Sequence, residues 1–253
     1  GFFAGFFGIG GGLITVPFLF FIFETLNLDK SYIMHLAVGT SFAIIIPTSL
    51  VSVLTHKKNK FVDTSIIKSY GLFVIIGVLL GTIFAALMKT KSLVLFFSIV
   101  VYFLGTYLLL NSNKVQEAKK NFKLLPRLFF GFISGFVSAP MGIGGAVMNV
   151  PVLRYFGYPI KKAIGSAAAI GFIIALFGAI GFLISGSFLK ANLPLSIGFI
   201  NIPAFLIFVP ITTFMARVGA DTVNKIDKSK VQSLFGVFLY VVGTIFIYRY
   251  LSL

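Results

Sequence analysis

Cysteine is missing from all 253 residues, which removes disulfides, thiolate metal ligands and sulfur-relay chemistry together. Acids are scarce as well. The six of them, Glu24, Asp29, Asp63, Glu117, Asp221 and Asp227, fall outside or at the edges of the apolar runs. No carboxylate is therefore available at depth for a proton relay or a cation site. Two histidines, His35 and His56, are too few for a metal centre. His56, beside Lys57 and Lys58, reads as a solvated loop residue, and His35 as an interfacial anchor or a titrating gate. Neither glycine-rich stretch is followed by the Lys-Ser/Thr of a phosphate-binding loop, so a nucleotide-driven pump is unsupported. An intramembrane enzyme acting on lipid would need a base or metal at membrane depth, and the same census offers none. No cofactor is expected.

Charge in general is thin: 11% of residues are charged against about 25% in a soluble domain. Apolar residues make up 58%, and the mean hydropathy is +1.05. A membrane protein follows from composition alone. The net charge of +15 comes from 21 basic residues that lie between apolar runs and form no basic domain. They orient a chain in an anionic bilayer and call for no nucleic acid. The chain opens at Gly1 inside an apolar run, so part of the first segment is expected to precede it.

With about 20 residues per span, eight apolar segments are read, near 1–23, 31–55, 66–88, 92–111, 127–156, 163–189, 191–216 and 231–250. They divide four and four because the chain repeats itself. Gly8-Ile9-Gly10-Gly11 with Val16-Pro17 recurs as Gly142-Ile143-Gly144-Gly145 with Val150-Pro151, at a constant offset of 134. Ala37-Val38-Gly39-Thr40-Ser41 resembles Ala163-Ile164-Gly165-Ser166-Ala167, and Tyr102-Phe103-Leu104-Gly105-Thr106 resembles Tyr240-Val241-Val242-Gly243-Thr244. The expected layout is an N-terminal repeat over 1–111, a polar linker over 112–126 and a C-terminal repeat over 127–253, in one integral membrane domain.

If all eight segments cross, Lys and Arg divide 11 to 10 between the faces, against the positive-inside rule. If the two glycine-broken segments dip in and return, Lys30, Lys89, Lys91, Lys190 and Arg249 share one face and the other 16 lie opposite. Each repeat then crosses an odd number of times, which gives an inverted topology. The pieces Arg127–Ser138 and Gly144–Phe156 are each 12 or 13 residues, about 18–20 Å of helix, enough to reach the midplane. The expectation is an all-α polytopic membrane protein of two inverted repeats, with re-entrant half-helices meeting near mid-membrane.

A half-helix that starts at a glycine cluster presents unpaired N–H groups and the positive end of its dipole, which suits an anion. Glycine allows close approach of the backbone. The substrate-binding candidates are Gly8, Gly10, Gly11, Gly12 and Thr15 in the first repeat, with Gly142, Gly144, Gly145 and Asn149 in the second. Gly39, Thr40, Ser41, Gly165 and Ser166 of the following segments are added because their hydroxyls could complete an anion's shell. Close helix packing is the competing role for the glycines, and bonding to a carbonyl of the same helix is the competing role for the hydroxyls. Asn201, Thr212 and Thr213 are weaker pore-lining candidates. Pro17, Pro47, Pro151, Pro203 and Pro210 interrupt apolar segments and are expected to kink them.

These motifs, Gly-Ile-Gly-Gly-Gly at 8–12 leading to Val16-Pro17, Gly39-Thr40-Ser41 and their echo in the second half, resemble the TauE/SafE family of permeases. The resemblance implies a multi-pass carrier of the cell (inner) membrane that exports sulfite, sulfoacetate or related organosulfur anions, with a possible homo-oligomer. Its partners would be a small anion and the lipid bilayer. An uptake permease or channel for another small anion is the alternative. The second copy departs from the first by reading Ala139-Pro140-Met141 before its glycines and Ala146 in place of Gly12, so unequal half-sites are expected.

Overall fold

A computed structural model describes residues 1–7, 11–110, 123–191, 193–222 and 228–252. Among these, the chain forms α1 (Phe2–Phe7), α2 (Gly12–Thr25), α3 (Ile33–Lys58), α4 (Thr64–Leu87), α5 (Thr90–Leu110), α6 (Leu124–Met141), α7 (Ala146–Tyr155), α8 (Ile160–Phe188), α9 (Ile202–Thr222) and α10 (Lys228–Ser252). A two-residue hairpin, β1 (Ser196–Ile197) and β2 (Ile200–Asn201), precedes α9 and is the one departure from helix among the regular elements described. The segment read from 191 therefore begins as a hairpin, and its helix runs on to Thr222.

Seven of the helices are long and apolar enough to cross a membrane. α3 is enclosed on all sides from Ile33 to Ile45, and α8 likewise from Ala163 to Gly171. The outer helices instead expose large apolar residues, among them Leu72, Ile83, Phe103, Ile211 and Phe214. In water such a surface would aggregate; in lipid it is the matching boundary.

Contacts between helices come in exchanged pairs. α4 lies along α6 and α9 along α1; α3 packs on α8 and α9, α8 on α3 and α4; α5 pairs with α10. The close approaches need glycine. A Cβ on Gly77 would sit 2.2 Å from the Phe132 carbonyl oxygen and one on Gly135 2.2 Å from that of Val74; for α1 and α9, Gly219 would meet the Phe2 carbonyl at 2.0 Å. Small residues of this kind let helix backbones touch where lipid offers no hydrophobic drive. At the α5–α10 seam the exchange is reciprocal. Tyr102 OH bonds Thr244 Oγ1 at 2.6 Å, Tyr240 OH bonds Thr106 Oγ1 at 2.5 Å, and the two tyrosine rings meet edge to face.

The charged ends gather at two poles. Arg249 pairs with Glu24 at 3.1 Å and Lys91 lies over Tyr250 at one pole. Asp63 faces Lys162 at 4.0 Å and Lys161 lies over Phe61 at the other. His56 is not a loop residue: it is fully buried in the last turn of α3, with Nε2 3.1 Å from the Gly5 carbonyl. The basic neighbours that made it look solvated sit on the outward side of that turn. His35 is also buried, stacked 5.1 Å from the Phe199 ring. Pro17, Pro47, Pro151 and Pro210 lie inside continuous helices.

Candidate functional site

The α6–α7 connection is built by left-handed glycines. Gly142 closes α6 at φ 64° and Gly145 opens α7 at φ 64°, a conformation that costs a residue with a Cβ. α6 is longer than the expected piece, 18 residues from Leu124, and α7 shorter at 10. The helix continues through Ala139-Pro140-Met141, with Pro140 in its final turn. The chain then folds back, and the Phe130 ring near the start of α6 lies 5.9 Å from that of Phe156 just beyond α7. The two breaks touch. A Cβ on Gly12, the first residue of α2, would stand 2.1 Å from the Gly142 carbonyl oxygen.

Buried donors converge on the start of α7. Ser138 Oγ and Asn149 Nδ2 lie 2.9 and 3.2 Å from where a Gly145 Cβ would be. Both residues are fully buried, and neither atom has a hydrogen-bond partner among the described residues. Ala146 and Val147 begin α7, and their N–H groups have no carbonyl within the helix to reach. Asn149 is held from the side: Tyr70 OH of α4, buried too, donates to its Oδ1 at 2.8 Å. A cluster of donors at a helix N-terminus, closed from water, suits a desolvated anion.

Among the described residues, the matching place at α2 offers fewer polar groups. Gly11 has φ 88°, but the nearest described atoms to its missing Cβ are Ala4 Cβ at 3.4 Å and Thr15 Oγ1 at 3.8 Å. Thr15 already donates to the Gly11 carbonyl at 3.1 Å. Gly8 and Gly10 lie outside the described residues. Gly142, Gly144 and Gly145 form the second break itself, and the Gly144 carbonyl lies against Gly171.

The remaining candidates stand apart from the α7 cluster. Ser41 donates to the Gly142 carbonyl at 2.9 Å and so clamps the break. Gly39 and Gly165 are packing glycines, with a Cβ 2.2 and 2.5 Å from the carbonyls of Phe199 and Phe61. Thr40 Oγ1 accepts the Asn201 N–H at 2.9 Å, and Ser166 Oγ accepts the Asp63 N–H at 3.0 Å. Asp63 and Asn201 in turn cap α4 and α9 through their side-chain oxygens. Thr40 and Ser166 therefore tie each half to the helix entrance of the other. Thr212 is spent on Thr48 at 3.0 Å, while Thr213 Oγ1 is buried with no partner among the described residues. Tyr70 and Ser138 escape a reading of the sequence altogether. The equivalence of Phe61-Val62-Asp63 with Phe199-Ile200-Asn201 would have exposed the two caps.

Seven apolar helices long enough to span a bilayer, among the described residues, define a multi-pass membrane protein. A family model described as sulfite exporter TauE/SafE matches residues 1–246, and the chain belongs to that family. It is 32% identical over 243 residues to a probable membrane transporter protein of Haemophilus influenzae, covering 96% of this chain and 92% of the relative. A probable membrane transporter protein of Methanocaldococcus jannaschii is 25% identical over 94% of this chain and 87% of its own length, and one of Bacillus subtilis is 27% identical over 96% and 91%. No solved structure matches the chain. The protein is a permease and not an enzyme.

Proposed function

We propose that the protein is a secondary carrier that exports a small sulfur-containing oxyanion such as sulfite, sulfoacetate or a related organosulfonate. The observation that carries this reading is the set of buried donors without a partner among the described residues, Asn149 Nδ2 and Ser138 Oγ, at the N-terminus of α7. A cationic substrate would leave such donors unanswered, and the positive end of the α7 dipole favours negative charge over a neutral acceptor. An anion answers them all, and the family match favours one that contains sulfur.

The site is closed on every side, with Asn149 and Ser138 fully buried, so substrate enters and leaves only if the surroundings move. Inverted repeats with re-entrant α1–α2 and α6–α7 units would allow this by rocking one half against the other. The folding back of α7 onto Phe130 and the exchanged contacts support that arrangement. With the Asp63–Lys162 pole, rich in basic residues, facing the cytoplasm, a potential negative inside favours outward movement of an anion by about 2.3 kcal/mol per charge per 100 mV.

Efflux of sulfite, sulfoacetate, sulfate and chloride from loaded proteoliposomes tests the reading, with Asn149→Ala beside the intact chain. Selective efflux of a sulfur oxyanion, lost in Asn149→Ala, is expected. Equal efflux from both proteins removes the site, and selective chloride efflux moves the protein to the alternative of a channel or permease for another anion.

A further inference from the structure

A buried polar stripe on α3 ends at His56. Ser41, Thr48, Ser52 and His56 recur along one side of the helix, from the α6–α7 break, where Ser41 donates to the Gly142 carbonyl, to the last turn beside Lys57 and Lys58. All four are buried. Helix α1 lies along the far part of this stripe. A Cβ on Gly1 would stand 2.5 Å from the Thr212 carbonyl oxygen, and the Thr212 hydroxyl meets that of Thr48. The Gly5 carbonyl then accepts from His56 Nε2 at 3.1 Å. Ser52 falls between those two contacts on α3.

A carbonyl can only accept, so the ring nitrogen facing Gly5 carries the hydrogen and Nδ1 is the basic one. Nδ1 is buried, and neither it nor Ser52 Oγ has a partner among the described residues. The closed seam therefore suits a neutral ring. A second proton would bury a charge and leave an N–H unanswered. If α1 lifts from α3, the ring meets water and takes that proton at no such cost. Proton affinity then differs between the two arrangements, which is what allows a ligand to shift an equilibrium. The charged groups around the ring are Asp221 of α9, whose charge reaches it, Lys57 and Lys58 of its own turn, and Lys161 of α8, which lies over the neighbouring Phe61 ring. Helix α1 brings none.

We infer that His56 is a proton-binding site that latches α1 to α3: the neutral ring holds the seam closed at the basic pole, and a proton on Nδ1 opens it. The proton comes from water at that pole and stays on Nδ1 while the seam is open. The latch is separate from the α7 cluster and independent of which anion is carried.

Because the 253 residues hold no cysteine, a single introduced thiol reports the seam without background. Ser52→Cys places one beneath α1, and its modification by a small charged methanethiosulfonate is followed in the purified chain from about pH 8 to about pH 5, where imidazole titrates. Each rate is divided by that of Leu26→Cys, at an exposed position, to correct for the falling thiolate fraction. The corrected rate is expected to rise several-fold as pH falls, by at most about tenfold per pH unit, the limit for one proton. His56→Gln keeps an N–H for the Gly5 carbonyl but takes no proton, so in that background the rate should stay flat; His35→Gln should leave the rise intact. A flat rate with His56 present, or an equal rise in His56→Gln, overturns the inference. Nitrogen NMR of labelled histidine puts the same question with residue 56 unchanged, which decides the matter if His56→Gln does not fold. The Nε2–H tautomer is expected at high pH, with Nδ1 gaining its proton as Ser52→Cys becomes accessible. A ring that stays neutral through that rise, or titrates without it, overturns the latch.

Discussion

Two glycines hold the same backbone conformation for different reasons, and alanine separates them. Gly11 and Gly145 both have positive φ, 88° and 64°. An alanine at either pays the left-handed penalty of about 1–2 kcal/mol. At Gly11 its methyl would meet nothing described closer than 3.4 Å, so Gly11→Ala should cost no more than that. At Gly145 the methyl would lie 2.3 Å from Ile174 Cδ1 and 2.9 Å from Ser138 Oγ. Overpacking adds about 1–3 kcal/mol, so Gly145→Ala should lose about 2–5 kcal/mol in all. Ile174→Val deletes the offending Cδ1, at about 0.5–1.5 kcal/mol on its own. Combined with Gly145→Ala it should cost less than the sum of the two. Unfolding in mixed detergent micelles, followed by helical circular dichroism, gives all four corners of the cycle. Equal losses at Gly11 and Gly145, or strict additivity with Ile174→Val, would refute the steric reasoning.

Thr40→Val keeps shape but leaves the buried Asn201 N–H without its acceptor, and should destabilise by about 1–3 kcal/mol in the same unfolding assay. Ser166→Ala, opposite the partly buried Asp63 N–H, should cost less; a larger loss there would overturn the assignment of the two ties. Gly135→Leu drives a side chain into the Val74 carbonyl and should abolish recovery of folded protein, whereas wild-type yield would show that α4 and α6 can part. Glu24→Gln removes the partner of Arg249 in a pair whose side chains are 25% and 36% exposed, and should shift stability by at most about 1 kcal/mol, an effect that salt erases.

The helices and their breaks are legible in the sequence because bilayer physics is blunt: length, apolarity and a glycine cluster leave few alternatives. Asn149 is legible too, as the counterpart of Thr15. Its neighbours are not. Tyr70 lies 79 residues away on α4, within an apolar run that gives no reason to single it out. Ser138 reads as one more small residue before the break. Thr40 and Ser166 look like pore hydroxyls only while their partners are unknown. Once α4 and α9 begin beside them, both accept a helix-entrance N–H from the opposite half. The half-site inequality is visible beforehand in Ala139-Pro140-Met141, yet the differences that matter chemically are Ser138 against Ala4 and Asn149 against Thr15.

That last contrast bears on how such a chain can change. Two identical subunits meeting at a seam like that of Tyr102 and Tyr240 would receive every mutation twice, once on each side of the axis. Ligand chemistry in such a dimer could only be altered in matched copies. A single polypeptide carrying both halves is free of that constraint. It can hold the seam reciprocal, tyrosine to threonine in both directions, while one end gains an amide and a serine and the other keeps a threonine turned back on its own helix. Drift in what is carried is then possible without drift in how the halves fit.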